Sequence, residues 1–231
     1  SLFTYMLRMD SIRGPDSTGV FGVSEYGKVD YIKGNTDGYV FTRSKVYLEW
    51  QRRIKDYKIV IGHNRKATSG AVTPANAHPF HEKHIILVHN GSIDNAKGLA
   101  DTEVDSHAIT HALADHDAVT ALGKLDGAYA LVWYDQSDKT INLARNSQRP
   151  LSLLSYPSMW LIASEVGLPL WLQARENRRV EKEDGIIQVP TDKILCAKLD
   201  NLDKGFFEIP YEEYKRWSYP VVSPQASHHS S

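Results

Sequence analysis

Cysteine is nearly missing from this chain. There is one, Cys196, so no intrachain disulfide can form, and a reducing cytoplasm is the simplest setting. No apolar stretch approaches the roughly 20 residues that cross a bilayer, and no secretory leader is visible. No membrane partner is therefore expected. Charge of one sign is not in excess either. Lys and Arg number 27 against 28 Asp and Glu, for a formal net charge of -1. General nucleic-acid binding is not expected, because no basic surplus exists to neutralise phosphates. An initiating Met is also lacking, which suggests a processed product, a fragment, or the ordered part of something longer. No internal repeat occurs. Low complexity is confined to residues 218–231, rich in Pro, Ser and His, which read as a loose tail. The rest is ordinary: 231 residues, 42% hydrophobic and 24% charged, enough for one large domain with a full core.

One stretch organises the reading. Ile59-Val60-Ile61 is a short β-branched run, followed by a polar loop from Gly62 to Gly70 that contains Arg65, Thr68 and Ser69. A second loop reads Asn76-Ala77-His78-Pro79-Phe80. A second apolar run, Ile85 to Val88, stops at His89-Asn90-Gly91. Both runs have strand length and composition, so each brings a polar group to a strand tip, where a sheet can hold it in place. Arg65 offers a fork of donors suited to a carboxylate. The Asn90 amide and the Gly91 N–H could serve a developing oxyanion. The plainer alternatives are a hairpin turn at Asn90-Gly91 and a solvated surface Arg65.

Taken in order, Leu2, Phe3, Met6 and Leu7 repeat at helical spacing. Gly14-Pro15 breaks that helix. Val20 to Val23 and Lys28 to Lys33 read as a hairpin, and residues 39–57 as a helix with a charged outer face. Thr102-Glu103-Val104-Asp105 has the form of a capping box. It starts a helix with the stripe Ala108, Ile109, Ala112 and Leu113. An acidic Asp105 at a helix start is also what the helix dipole alone would favour. From Asp126 the chain turns to strands: Ala128–Tyr134, Thr140–Arg145, Leu151–Ser155, Met159–Ala163, Gly185–Val189 and Lys193–Leu199. A short helix running from Ser164 to Gln173 interrupts them. Two antiparallel sheets flanked by helices satisfy this α+β pattern. Residues 1–200 are expected to form one domain, with 201–231 a C-terminal extension and tail.

Five motifs in one order carry a resemblance. They are Arg13-Gly14-Pro15-Asp16-Ser17-Thr18-Gly19, Gly62-His63-Asn64-Arg65-Lys66-Ala67-Thr68, Asn76-Ala77-His78-Pro79, His89-Asn90-Gly91 and Asp105-Ser106. Together they resemble the class II glutamine amidotransferase domain, a member of the N-terminal-nucleophile hydrolases. The resemblance runs from Ser1 to about Leu199 and is carried by strand pattern alone after Gly127. It implies a four-layer αββα sandwich that hydrolyses glutamine to glutamate and ammonia for an acceptor on a synthetase domain or partner chain, with no cofactor and no metal. It also implies roles. Arg65 binds the glutamine α-carboxylate and Asp105 its α-ammonium. Thr68 and Ser69 line the pocket. Asn90 and Gly91 form the oxyanion hole. Arg13, Asp16 and His89 order the site from behind. For Arg13 and Asp16 the alternative is a turn pinned by an ion pair.

The sequence departs from the family in ways that bear on chemistry. Lys66 stands where an aromatic residue is common, Ser69 where some members have His, and His107 where an acidic residue often follows the Asp-Ser pair. The family's nucleophile is a cysteine at the mature N-terminus. Three explanations compete for its absence here: a Cys-bearing strand upstream of Ser1, a degenerate member that binds without cleaving, or Ser1 acting as nucleophile. Cys196, in an apolar run, reads as a core residue. A metal-dependent hydrolase is a further rival, because His107 and His111 lie one helical turn apart. His63, His78, His81, His84 and His89 also cluster in the central stretch, but such an enzyme would need a third ligand and a general base, and the glutamate of a zinc-protease helix is absent between His107 and His111.

Overall fold

The computed structural model describes residues 1–156, 159–175 and 185–214. Strand β1 (Ser17–Ser24) runs antiparallel between β2 (Val29–Gly34) and β3 (Tyr57–Arg65). Its side chains alternate between two apolar surroundings, as a pleated strand requires. Val20 packs outward with Leu7, Phe41, Tyr47 and Trp50. These come from α1 (Leu2–Asp10), α2 (Gly38–Phe41) and α3 (Lys45–Arg52). Phe21 and Val23 point the other way, into a core shared with Ile86, Val88, Val132 and Leu143.

That second core is the inner face of a six-stranded antiparallel sheet. Its members are β4 (Phe80–Glu82), β5 (Ile85–Ile93), β6 (Gly127–Asp135), β7 (Thr140–Arg145), β11 (Lys193–Lys198) and β12 (Phe207–Pro210), in the order β12-β11-β7-β6-β5-β4. The outer face of this sheet (Ile85, Leu87, Leu131, Trp133) packs on Ile109, Leu113, Ala121 and Leu122. Those residues belong to α5 (Asp105–Asp115) and α6 (Ala118–Leu122), which follow the short α4 (Ala96–Leu99). A third sheet, β10-β8-β9, joins Ile186–Gln188 (β10), Ser152–Tyr156 (β8) and Met159–Ala163 (β9). It contributes Leu151, Leu153 and Val189 to the inner core. The layers are helix, sheet, sheet and helix, as the family resemblance implies. The layer facing the six-stranded sheet is built from two three-stranded ladders rather than one continuous sheet.

Several boundaries differ from the sequence reading. β3 does not end at Ile61 but runs through His63 to Arg65, paired with β1 throughout. β5 does not stop at His89-Asn90-Gly91. Asn90 pairs with Ala130 and Gly91 with Tyr129, and the strand continues to Ile93. Gly91 is there because the backbones close on each other: at φ +154, an added Cβ would lie 1.9 Å from the Ala128 carbonyl oxygen. Residues 39–57 form two α-helices and a 3-10 turn (Ile54–Asp56) rather than one helix, and Tyr57 already belongs to β3. Ser44 starts a new N-cap, its Oγ accepting from Tyr47 N at 3.2 Å. α7 (Gly167–Arg175) begins later than Ser164.

Two strands lie outside the sequence reading: β4, three residues long, and β12, which carries a proline. Strand β12 lies past residue 200 and pairs with β11 from Lys193 to Cys196. Next to it, Tyr211 is buried. Its hydroxyl lies 2.9 Å from that of Tyr129, 2.9 Å from the Thr191 carbonyl oxygen and 3.1 Å from that of Arg145. The sheet thus continues beyond the expected division at residue 200. The loose-tail reading of 218–231 lies outside the described residues. Tyr211→Phe strands the buried Tyr129 hydroxyl and should lower stability by about 1–3 kcal/mol in urea denaturation. An unchanged midpoint would mean that the segment past residue 200 is not tied to the sheet.

Candidate active site

The inner core changes character at one end. Along β1 the inward positions run Val23, Phe21, Gly19, Ser17. Along β3 they run Ile59, Ile61, His63, Arg65, with Gly19 opposite His63 and Ser17 opposite Arg65. Along β5 they run Ile86, Val88, Asn90. Period-two alternation therefore sends Ser17, His63, Arg65 and Asn90 into the same space between the sheets, beyond the last apolar layer. The two facing sheets meet there, because His63 lies against the backbone of His89. Arg65 is two residues, or about 7 Å of strand, further along.

The Arg65 guanidinium is almost fully buried. Its Nη2 donates to the Ser69 carbonyl oxygen, which curls the loop around it. Its Nη1 is buried without a partner among the described residues. Burial lowers its pKa from the usual range, and the carboxylates of Asp105 and Asp16 oppose that shift. Asp16 secures the loop, since its backbone N–H donates to Arg65 O (3.1 Å) and its Oδ2 accepts from Ala67 N (2.7 Å). Arg13 is elsewhere, paired with Asp10 (3.3 Å) and Glu165 (2.9 Å) on the surface. Thr68 and Ser69 are both exposed in the loop that follows Arg65.

Asp105 is the first residue of α5, at the end of β5. The capping box does not form: Val104 is the N-cap, with no side-chain capping bond. Thr102 Oγ1 instead donates to Val104 O at 2.9 Å. The Asp105 carboxylate accepts from Ile93 N (2.9 Å) and Ser106 N (2.8 Å). It thereby ties the helix start to the strand that carries Asn90 and Gly91. Ser106 Oγ meets His89 Nδ1 at 3.0 Å. The His89 ring fills the space beside Gly91, where an added Cβ would lie 2.7 Å from Nε2. Arg65 and Asp105 influence each other electrostatically without forming an ion pair. A buried cation and a carboxylate held apart in this way complement a ligand carrying both charges. The Asn90 side-chain amide has no protein hydrogen-bond partner among the described residues.

Three further residues at this corner went unassigned in the sequence reading: Ser17, His63 and His78. Ser17 Oγ, His63 Nδ1 and both ring nitrogens of His78 are buried without partners among the described residues, and the two imidazoles lie 3.9 Å apart between centroids, tilted by 38°. Strand alternation from Ile61 and Phe21 was the available signal for Ser17 and His63. His78 arrives through a loop that Lys33 Nζ holds by donating to the carbonyls of Ala75, Ala77 and Pro79. Cys196 is far from this chemistry. It is buried in β11, and burial pushes its thiol up to about 11. Ser1 caps α1 on the outer face of the β1–β3 sheet, its Oγ accepting from Thr4 N at 3.4 Å and lying 2.9 Å from Thr4 Oγ1. Cavities of about 540 Å³ (around Ser92, Asp126 and Asn146) and about 300 Å³ (around His84, Asp115 and Trp133) are lined by neither Arg65 nor Asp105.

Comparison with known proteins identifies the family. The family described as glutamine amidotransferase domain matches residues 63–168, from the His63 of β3 to just past β9. The chain carries a class II glutamine amidotransferase domain. Among similar proteins is a glutamine–fructose-6-phosphate aminotransferase of Xanthomonas campestris pv. campestris, 42% identical over 98 residues, which are 34% of this chain and 16% of that protein. The enzyme of the same name from Zymomonas mobilis is 28% identical over 218 residues, covering 86% of this chain and 31% of that one. The chain thus spans less than a third of these relatives. The fold matches the glutamine phosphoribosylpyrophosphate amidotransferase of B. subtilis, with TM-score 0.66 and 20% identity over 91% of this chain and 47% of that one. Among the described residues of the amidotransferase domain, no helix is long and apolar enough to cross a membrane.

The buried imidazoles give the domain a pH signature. Burial holds His63, His78 and His89 below the ordinary histidine value, His63 down to about 3. The unfolded chain protonates near 6.5, whereas the folded His63 resists until about 3. Stability is therefore whole above about pH 6.5 and is lost as pH falls towards 3. The slope is at most about 1.4 kcal/mol per pH unit for each such histidine. Denaturation series at pH 7 and pH 5 should show the loss, and the His78→Gln variant should show a shallower one. Equal slopes for the two proteins would place the effect elsewhere.

Proposed function

We propose that the domain binds glutamine through Arg65 and Asp105 and presents its side-chain amide to Asn90 and Gly91. The supporting observation is the buried Arg65 guanidinium, with one nitrogen unsatisfied, held apart from a carboxylate at the head of α5. In this reading Arg65 takes the α-carboxylate and Asp105 the α-ammonium. Thr68 and Ser69 close the side of the pocket. Asp16 holds the Arg65 loop, and His89 supports the Gly91 corner.

Hydrolysis then follows thiol chemistry. A thiolate adds to the amide carbon, and the carbonyl π pair moves onto oxygen. The Asn90 amide and Gly91 N–H stabilise that oxyanion. Collapse breaks the C–N bond, and the protonated nitrogen leaves as ammonia. Water adds to the thioester, releasing glutamate and the thiol. Cys196 is not placed for this step, so the thiol comes from outside the described residues. Ammonia then passes to an acceptor on another domain or partner chain. The second reading is a domain that binds glutamine without cleaving it. It is favoured by the absence of a described thiol at the corner.

Removing one partner of a buried charge contact costs about 2–5 kcal/mol. Arg65→Ala should therefore weaken calorimetric glutamine binding by more than tenfold, and unchanged affinity would remove Arg65 from the site. In protein that releases ammonia, Asn90→Ala should lower kcat by about 10²–10³ with KM nearly preserved. An unaltered rate would remove Asn90 from the oxyanion hole. Glutamine binding without ammonia release by the full protein would select the second reading.

A further inference from the structure

The edge strand β4 and helix α5 bring together three side chains that the glutamine corner does not use. His107 and His111 lie one turn apart on α5, with ring centroids 4.8 Å apart. Glu82, at the end of β4, places Oε2 3.7 Å from His111 Nε2 and 4.0 Å from His107 Nε2. One donor atom from each residue falls within 4.8 Å of the others, and all three residues are half-buried. Helical spacing makes the two histidines visible in sequence as a pair. The carboxylate comes from a strand 25 residues before His107 and supplies the third ligand that such a site needs.

The chemistry of this trio suits a cation better than an ion pair. Glu82 Oε2 lies between the two imidazoles, 3.7 Å from one and 4.0 Å from the other, so the three donors converge on one point instead of pairing two by two. A neutral imidazole is what a metal requires. Two imidazoles and one carboxylate form a donor set used by zinc, with a fourth position left open. Bonds of about 2.0–2.1 Å in a tetrahedron put ligand atoms about 3.3 Å apart. The Glu82 contacts need to shorten by well under 1 Å and the widest donor separation, at most 4.8 Å, by up to about 1.5 Å, which rotation of partly exposed side chains can supply. Phe80 stacks on the His107 ring at 5.2 Å and 21°, which fixes its plane.

We propose that Glu82, His107 and His111 bind one divalent late first-row cation, Zn²⁺ fitting best, which clamps α5 to the edge strand β4. The site is independent of the glutamine reading and has no part in amide hydrolysis. Its nearest structural consequence is for the first turns of α5, since His107 follows Asp105 by two residues.

The test uses the whole chain, stripped with a chelator and then titrated with Zn²⁺ by calorimetry, with Co²⁺ absorption as a second readout. One saturable equivalent and a raised melting temperature are expected. His111→Ala and Glu82→Gln should each abolish that saturable step while melting like the metal-free parent. His228→Ala/His229→Ala, which removes the histidine pair near the C-terminus, should leave it in place. Absence of a saturable equivalent, or binding that survives both site variants, would overturn the proposal. So would binding that disappears with the His228/His229 pair.

Discussion

The structure depends on sheets packed face to face through a core whose apolar layers stop two inward positions short of the ends of β1 and β3. Phe21, Ile61 and Val88 close the dry part. Ser17, His63, Arg65 and Asn90 continue the same faces as polar groups. Side-chain alternation along a strand is rigid, so the residues that keep the sheets together also set the direction of the polar ones. A one-residue slip in β3 would exchange Arg65 with Asn64. Asn64 now faces the helices and donates to the Leu7 carbonyl oxygen at 2.8 Å.

Burial at this corner carries electrostatic consequences. Water is largely excluded from Arg65, and the His63 and His78 imidazoles are held uncharged beside it. In such surroundings a fixed charge acts over a longer range than on the surface. Asp16 and Asp105 support the guanidinium from two directions while their own oxygens are engaged with backbone N–H groups. The charges are thus positioned by hydrogen bonds to the fold rather than by pairing with each other.

Much of this was legible in the sequence. The apolar runs located the strands, and the order of five short motifs located the family. Strand tips were misplaced in β3 and β5 because His, Asn, Arg and Gly are loop-forming residues on local criteria. Here, ladder pairing to β1 and β6 overrides that preference. Thr102 had the right spacing for a cap, but its hydroxyl found the Val104 carbonyl instead. Short strands such as Phe80–Glu82 leave almost no periodic signal, so the carboxylate beside His107 and His111 was invisible until the sheet placed it.

A structure of the protein determined with glutamine or glutamate bound tests the central claim most directly. The account predicts the ligand's α-carboxylate on the Arg65 guanidinium, its α-ammonium at Asp105, and its side chain reaching towards Asn90 and Gly91. Density for the ligand in another place, for example the cavity beside Ser92 and Asn146, with Arg65 untouched, would contradict it.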